Sequence, residues 1–329
     1  MLQSGLDIEW GCSARLDSVD EDMLKIMSKA GCRRIYFGIE TGSTRMQKKI
    51  SKNLNLSKLD TICDWLQEYG IIPRFSFIYG FPEESYEDVD ATLNMIYHIY
   101  EKWRNVFSSC KGLFQLHKLI FYPGTEELQK VSNRLEYVEN THYDASRSID
   151  HWNNEELKDI VSNVDIFSNY FEFKSELRSK LKDLDYFFNI IFYNAIIYYD
   201  VTYKLLLEKS GNSNLNLYYK FLDSIDEIMY SPFSYCESFE IFFKAVTDLL
   251  HKVVIKANSK SIKAIFEFEK DMFYFNIDNI NVEDRRQIKK YECDVLKMKK
   301  MRLNLEDSSE VKLLFEKCNN KAKVTYYNK

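Results

Sequence analysis

Residues 33–43 (RRIYFGIETGS) and 74–84 (RFSFIYGFPEE) each run a hydrophobic stretch into a glycine-bearing turn with a carboxylate at its tip. Parallel α/β sheets and barrels hold their ligands where strands finish and the next loops begin, so these tips are where chemistry belongs. Glu40 can accept hydrogen bonds from a ribose diol or an ammonium group, and Gly42 would let the backbone approach a ligand. A local reading is equally good: Glu40 holds free N–H groups at the start of the next helix. Arg15, at the mouth of an earlier strand, can pair a carboxylate bidentately or bridge Asp17 or Asp20 in its own loop. Near a later strand end, His117 and Lys118 alternate, so either one can face a cavity there. A lone histidine on a strand is also a common structural group.

The cysteines exclude one kind of chemistry for this chain alone. There are seven, and the nearest pair, Cys12 and Cys32, is 20 residues apart. Iron–sulfur clusters need thiolates at short spacing in one loop, and no C-x-x-x-C-x-x-C run exists. Cys32, just past a helix end, and Cys63, on an apolar helix face, read as structural. No metal site is expected from these residues. An odd number of dispersed cysteines fits reduced thiols in a cytosol.

Strands and helices alternate in the first two-fifths of the chain. Residues 7–14, 34–39, 75–79 and 113–121 read as strands. Ser18 to Glu21 has capping-box spacing, and the helix behind it is expected to turn Met23, Leu24, Ile26 and Met27 inward, with Gly31 stopping it in the left-handed conformation. A helix rich in Lys and Gln is expected after residues 34–39, and another begins near Ser57, buries Leu59, Ile62, Cys63 and Leu66, and ends at Gly70. Ser85 to Asp88 repeats the capping pattern before a long helix to about Trp103, with Val89, Leu93, Ile96, Ile99 and Tyr100 on one face. Each helix is long enough for a parallel crossover. Four parallel strands cannot close a barrel, and the outer edge of the first has nothing before it to pair with. The expected domain is incomplete.

Glycine and proline mark a change of architecture. Nine of ten glycines and three of four prolines lie at or before Gly124. Beyond a polar stretch containing Asn133, Asn140, His142, Asp144 and Ser146, long helices are expected. Leu157, Ile160, Val161, Val164, Phe167 and Phe171 fall at helical spacing, and further apolar helices are expected at 185–209, 215–230 and 239–256. Residues 265–277 fit a strand pair or a helix. The basic run KMKKMR (297–302) reads as a solvated helix face. The domains expected are 1–130, a linker at 131–152, and a helical domain at 153–329.

At 329 residues, with 45% hydrophobic and 15% aromatic residues, the chain can bury about two cores. A net charge of −5 gives no footprint for nucleic acid. The longest apolar run, 186–199, is broken by Asn189 and Asn194 and falls short of the ~20 residues of a membrane span. No signal-peptide layout opens the chain. A soluble, cytoplasmic protein is expected.

In order and spacing, these motifs resemble the second half of a radical S-adenosylmethionine (SAM) barrel of the type associated with cobalamin-binding domains. The lines that carry the resemblance are Cys12-Ser-Ala-Arg15-Leu-Asp17, Ala30-Gly-Cys32, Gly38-Ile-Glu40-Thr-Gly-Ser43, Phe77-Ile-Tyr-Gly80-Phe-Pro82-Glu-Glu84 and Tyr122-Pro123-Gly124-Thr125. A G-x-I-x-G-x-x-E pattern maps to Ser76, Ile78, Gly80 and Glu83, with Ser76 replacing the first glycine. The fold this implies is α/β, a partial TIM-type barrel followed by a mainly helical C-terminal domain. By the same resemblance Gly38, Glu40 and Lys52 would meet the ribose or methionyl part of SAM. Ser76 would lie beneath it, Ile78 against its adenine, and Arg15 on its carboxylate. The cofactors implied are SAM, a [4Fe–4S] cluster and cobalamin, but the cluster cysteines and a D-x-H-x-x-G cobalamin signature are missing. The chain thus reads as a fragment or split subunit of such an enzyme, completed by a polypeptide supplying the N-terminal half-barrel. A non-catalytic remnant that binds a partner or nucleotide is the rival. A radical SAM tRNA modifier is a third reading, disfavoured by the acidic charge.

Overall fold

The computed structural model describes residues 7–106, 112–137, 154–181, 184–224, 239–277, 286–302, 304, 309–318 and 321–327. The expected linker positions Asn140, His142, Asp144 and Ser146 and the end of the 215–230 helix lie outside them. The described chain divides into two compact units, 1–92 with 112–185, and 93–111 with 186–329.

The first unit is built on four parallel strands in sequential order: β1 (Trp10–Ala14), β2 (Cys32–Glu40), β3 (Ile72–Tyr79) and β4 (Phe114–Lys118). This is the expected open α/β sheet, with β1 and β4 as its edges. Phe37, Phe75, Phe77 and Leu116 are fully buried on one face, where Phe37 and Phe75 stack 5.7 Å apart. Each such phenylalanine contributes about 1.5–3 kcal/mol of burial. Helices α1 (Glu21–Lys29) and α3 (Leu59–Glu68) cover that side, and the four side chains expected to face inward from α3 are all buried. A short helix, α2 (Thr44–Lys49), follows β2. The long helix α4 spans Tyr86–Trp103, with Val89, Leu93, Ile96, Ile99 and Tyr100 buried.

Local chemistry corrected two details of α1. Asp20, not Ser18, caps it by accepting from the Met23 N–H, while the Ser18 hydroxyl turns back to the Arg15 carbonyl. An aspartate one residue from the helix is the stronger competitor for the cap. Leu24 is buried, but Met23 and Ile26 are 44% and 55% exposed, against the expectation. Gly31 ends the helix at φ 91° as expected.

After β4, Thr125 caps α5 (Glu126–Val131). Strand β5 (Leu135–Tyr137) then pairs antiparallel with β6 (Phe171–Phe173) around Leu128, Val131 and Phe173. Phe171 therefore sits in a strand and not on the helical face inferred from its spacing. That helix breaks at Asn163 into α6 (Asn154–Ser162) and α7 (Val164–Phe167). Helix α8 (Glu176–Lys180) completes the unit.

The second unit is mainly helical. Between the short helices α9 (Leu184–Tyr186) and α10 (Tyr193–Tyr198), residues Phe187–Phe192 form a π-helical turn. α11 (Asp200–Glu208), α12 (Asn214–Leu222), α13 (Phe239–Ala257) and α14 (Lys260–Ile277) follow. Residues 265–277 are thus helical. Phe266 stacks on Tyr199 from one side of α14, while Phe268 and Phe275 meet Phe315 from another, a helical and not a two-residue period. A three-stranded antiparallel sheet, β7 (Arg286–Tyr291), β8 (Val311–Cys318) and β9 (Lys321–Tyr326), was not expected. Its alternation is masked by lysines on both faces: exposed Lys290 lies opposite Lys312, and Lys289 lies opposite buried Leu313. Among the described residues no helix is long and apolar enough to cross a membrane.

Helix α15 (Val295–Met301) carries the basic run, and only part of it is solvated. Lys297 and Lys300 are exposed. Lys299 reaches Glu269 at 2.5 Å and also Asp200, and Arg302 pairs with Glu101. Glu269 is fully buried and accepts N–H bonds from Val201 and Thr202, so it neutralises the start of α11.

Candidate functional site

The second face of the four-stranded sheet is what an all-parallel sheet does not normally leave open. Ladder pairing places Ser13 beside Tyr36, Tyr36 beside Arg74, Gly38 beside Ser76 beside Gln115, and Ile78 beside His117. Ser13 and Arg74 are exposed, and Tyr36, Ile78, Gln115 and His117 half-buried; Ser76 is buried. This face is polar where its opposite is phenylalanine.

At the C-terminal rim of that face stands Glu40. The β2–β3 register shifts between Gly38 and Glu40, and Glu40 takes φ 68°. A side chain in the left-handed region costs about 1–2 kcal/mol, and such strain gathers at functional sites. Its carboxylate meets Lys52 Nζ at 2.9 Å, with both side chains about one-fifth exposed. Gly38 is what lets Glu40 fold back: a Cβ there would lie 2.4 Å from Glu40 Oε1 and 3.2 Å from Lys52 Nζ. Glu40 therefore engages a lysine and not the N–H groups of the next helix. Ser43 caps that helix instead, accepting from the Met46 N–H.

Arg15 forks onto Asp17 with both bonds at 3.0 Å and donates to the Lys52 carbonyl at 2.9 Å. Of the two sequence readings, the loop bridge is the one seen, and Asp17 is held below its ordinary pKa by Arg15. Through the carbonyl bond Arg15 also fixes the segment that carries Lys52. His117 lies on the open face. Burial lowers its pKa, Arg74 adds to that and Glu40 opposes it, so its imidazole is neutral at neutral pH. Lys118, one residue on, turns away to Glu172 at 2.5 Å.

Gly42 serves a different neighbour from the one expected. A Cβ at this position would come within 2.6 Å of the Ala91 carbonyl and 2.8 Å of the Thr92 Cα, so the close approach is to α4. The Gly42 N–H donates to the Thr92 hydroxyl at 3.0 Å. Asp88 locks the same corner: burial alone would raise its pKa, but bonds from Arg45, Ser43 and Ser85 hold it at about 2.

The turn after β3 is clamped on both sides of one peptide. Glu84 accepts the Gly80 and Phe81 N–H groups, and Arg178 donates to the Gly80 carbonyl at 2.7 Å. Burial drives the Glu84 pKa up to about 8, against the pull of those N–H groups, and its second oxygen has no partner. Sequence matching had placed Glu83 in the motif's acidic position. Glu83 is exposed and pairs with Lys49 at 2.9 Å, and Glu84 is the one built into the turn. Neither Arg178 nor Asp185, which accepts from the Tyr79 hydroxyl at 2.8 Å, could be found by motif. Both come from more than 90 residues downstream.

Residues 2–96 match the family model described as the radical SAM superfamily. The match covers less than a third of the chain and lies almost wholly in the first unit. A curated relative, the uncharacterized methyltransferase PH0819 of Pyrococcus horikoshii, is 37% identical over 91 residues, which is 28% of this chain. The chain spans a fifth of that relative's length. Two solved structures of the cobalamin-dependent SAM radical enzyme OxsB, one with aqua-cobalamin and one with aqua-cobalamin and SAM, align at 13% and 14% identity. They cover 84% and 83% of this chain and 48% and 44% of theirs, each at a TM-score of 0.32, too loose a likeness to carry any argument.

Of the family's cofactors the cluster does not fit the residues present. Among the described residues no three His, Cys, Asp or Glu side chains converge on a metal position, and Cys12, Cys32, Cys63 and Cys293 form no disulfide. The open face offers Glu40 and Lys52 of opposite charge, each about one-fifth exposed, with the Ser76 hydroxyl and the apolar Ile78, groups of the kind that would meet a nucleoside with a charged amino-acid tail.

Proposed function

We propose that the polar face of the first unit is the SAM- and substrate-facing wall of a radical SAM enzyme whose iron–sulfur cluster is held elsewhere, on another segment or polypeptide. The single observation that carries this is the wet face of a parallel sheet with strained Glu40 at its rim. In this reading Glu40 and Lys52 exchange their mutual bond for the ribose and methionyl groups. Ser76 and Ile78 form the floor beneath the nucleoside, and neutral His117 accepts or donates a hydrogen bond toward substrate. Arg15, already spent on Asp17, positions Lys52 and does not bind the carboxylate itself. The radical chemistry would be supplied by SAM and a cluster held elsewhere; this chain's part would be orientation and the exclusion of water. Methyl transfer is the reaction class suggested by the relative's name. Cobalamin, if used, is also held by other residues.

The edge of β1 that no described strand pairs, with Ile8 42% exposed beside it, and the exposed Met23 and Ile26 support a partner of the strand-and-helix kind. The test is co-expression with a polypeptide bearing three clustered cysteines and the strands that precede β1. The complex is expected to bind SAM and release 5′-deoxyadenosine on reduction. Glu40→Gln should lower SAM affinity, and Glu68→Gln, on the exposed side of α3, should not. Equal effects of the two would remove Glu40 from the site, and a soluble complex that neither binds nor cleaves SAM would leave the remnant reading. The chain alone, reconstituted with iron and sulfide, should take up no stoichiometric [4Fe–4S] cluster.

A further inference from the structure

In the second unit a cavity of about 240 Å³ is floored by Leu206, Val253 and Ala257 and rimmed by Lys209, Lys220 and Lys256, with Asp223 at one side. Two of the lysines are fixed in place. Lys220 Nζ donates to the Lys209 carbonyl at 3.3 Å and to Ser210 Oγ at 2.9 Å. Lys256 Nζ does the same one helix later, to the Asp223 carbonyl at 2.6 Å and Ser224 Oγ at 3.0 Å. Both serines are buried and spend their own protons on helix carbonyls, Ser210 on Leu206 and Ser224 on Lys220. Their oxygens are therefore free to accept. Each ammonium has three donors, so each keeps one N–H unspent.

The charge is not balanced locally. Lys180, Lys204 and Lys270 each meet a glutamate about one turn away. Among the described residues none of the three cavity lysines has a carboxylate partner, and Lys209 makes no side-chain bond. The carbonyl ends of α11 and α12 offset about half a charge each. With Asp223 counted, the lining stays positive by about one charge.

We infer that this cavity binds a small organic anion. Its oxyanion head, a phosphomonoester or a carboxylate, takes the spare N–H groups of Lys220 and Lys256 and the Lys209 ammonium, and a short apolar body lies on Leu206, Val253 and Ala257. The volume is below the ~300–1,000 Å³ typical of drug-sized sites, which limits the body to a few carbons or one ring. The site is independent of the SAM reading, since every residue in it belongs to the second unit.

Calorimetric titration of the full chain with phenyl phosphate, benzoate and inorganic phosphate tests it. Saturable binding of phenyl phosphate or benzoate, tighter than that of inorganic phosphate, is expected, and which of the two binds identifies the head group. Lys209→Gln removes a charge whose ammonium makes no side-chain bond among the described residues and should weaken binding at least about fivefold. Lys256→Gln should weaken it too, Lys256→Arg should restore it in part, and Lys25→Gln, in the first unit, should leave it unchanged. Absence of saturable binding by any probe, or an affinity indifferent to both Lys209→Gln and Lys256→Gln, overturns the site. Inorganic phosphate binding as tightly as phenyl phosphate overturns the apolar half of the assignment.

Discussion

In the first unit Glu40 meets Lys52 at 2.9 Å from a backbone held at φ 68°, with part of each side chain in water. In the second unit Glu269 meets Lys299 at 2.5 Å from the middle of a regular helix, with its carboxylate buried and two backbone N–H groups on it. One pair sits on strain with about a fifth of each side chain exposed; the other has a saturated carboxylate. The contrast separates two reasons for a charged pair to exist. A saturated buried carboxylate holds helices in register and has no capacity left for a ligand. A strained, partly solvated one costs the fold something and keeps the freedom to change partners.

The largest expected effect comes from breaking the saturated pair. Glu269→Ala leaves two buried N–H groups without their acceptor and leaves Lys299 only Asp200 of its two carboxylates, and should cost about 3–5 kcal/mol in urea unfolding. A loss under about 1 kcal/mol would mean that Glu269 is no more structural than Glu40.

Glu84 is the intermediate case, buried like Glu269 but with one oxygen unpartnered. Its folded pKa of about 8 lies above the ordinary carboxylate value, so the folded state binds the extra proton. Its contribution is full at low pH and falls as pH rises from the ordinary range through about 8. Between about pH 6 and pH 9 the chain should lose about 1–3 kcal/mol that Glu84→Gln does not lose. Parallel pH profiles of the two proteins would refute the assignment.

The smallest effect should come from Glu40 itself. Glu40→Gly relieves the left-handed strain while giving up a partly exposed ion pair, and the net change should lie between zero and about 1 kcal/mol of added stability. If chemical denaturation shows a loss above about 1 kcal/mol, Glu40 belongs with Glu269 and the functional contrast fails.

Much of the first unit was legible because its signals are local. The inward side chains of α3, the extent of α4 and the Ser85–Asp88 cap follow from spacing within single elements. The left-handed Glu40 was not legible: glycine advertises positive φ and glutamate does not. The job of Gly42 was misread because its neighbour, Thr92, is 50 residues away. Glu84 and Glu83 are indistinguishable in a motif, and only burial separates them. In the second unit β7 to β9 hid behind lysines, and Phe171 fell on a helical period that Asn163 interrupts. The charged tail looked solvated because the partners of Lys299 and Arg302 lie about 30 to 200 residues away in sequence, beyond the reach of local pattern.

Each strand of the first sheet pairs only with its neighbours in the chain, so forming any ladder closes a loop of modest length. Folding of this sheet can advance one strand and helix at a time, without waiting for distant ends to meet. The same ordering makes the sheet tolerant of recombination. A cut between two strand–helix steps severs one ladder and leaves every other contact pattern whole, which is how a barrel can be divided between polypeptides and still be put back together.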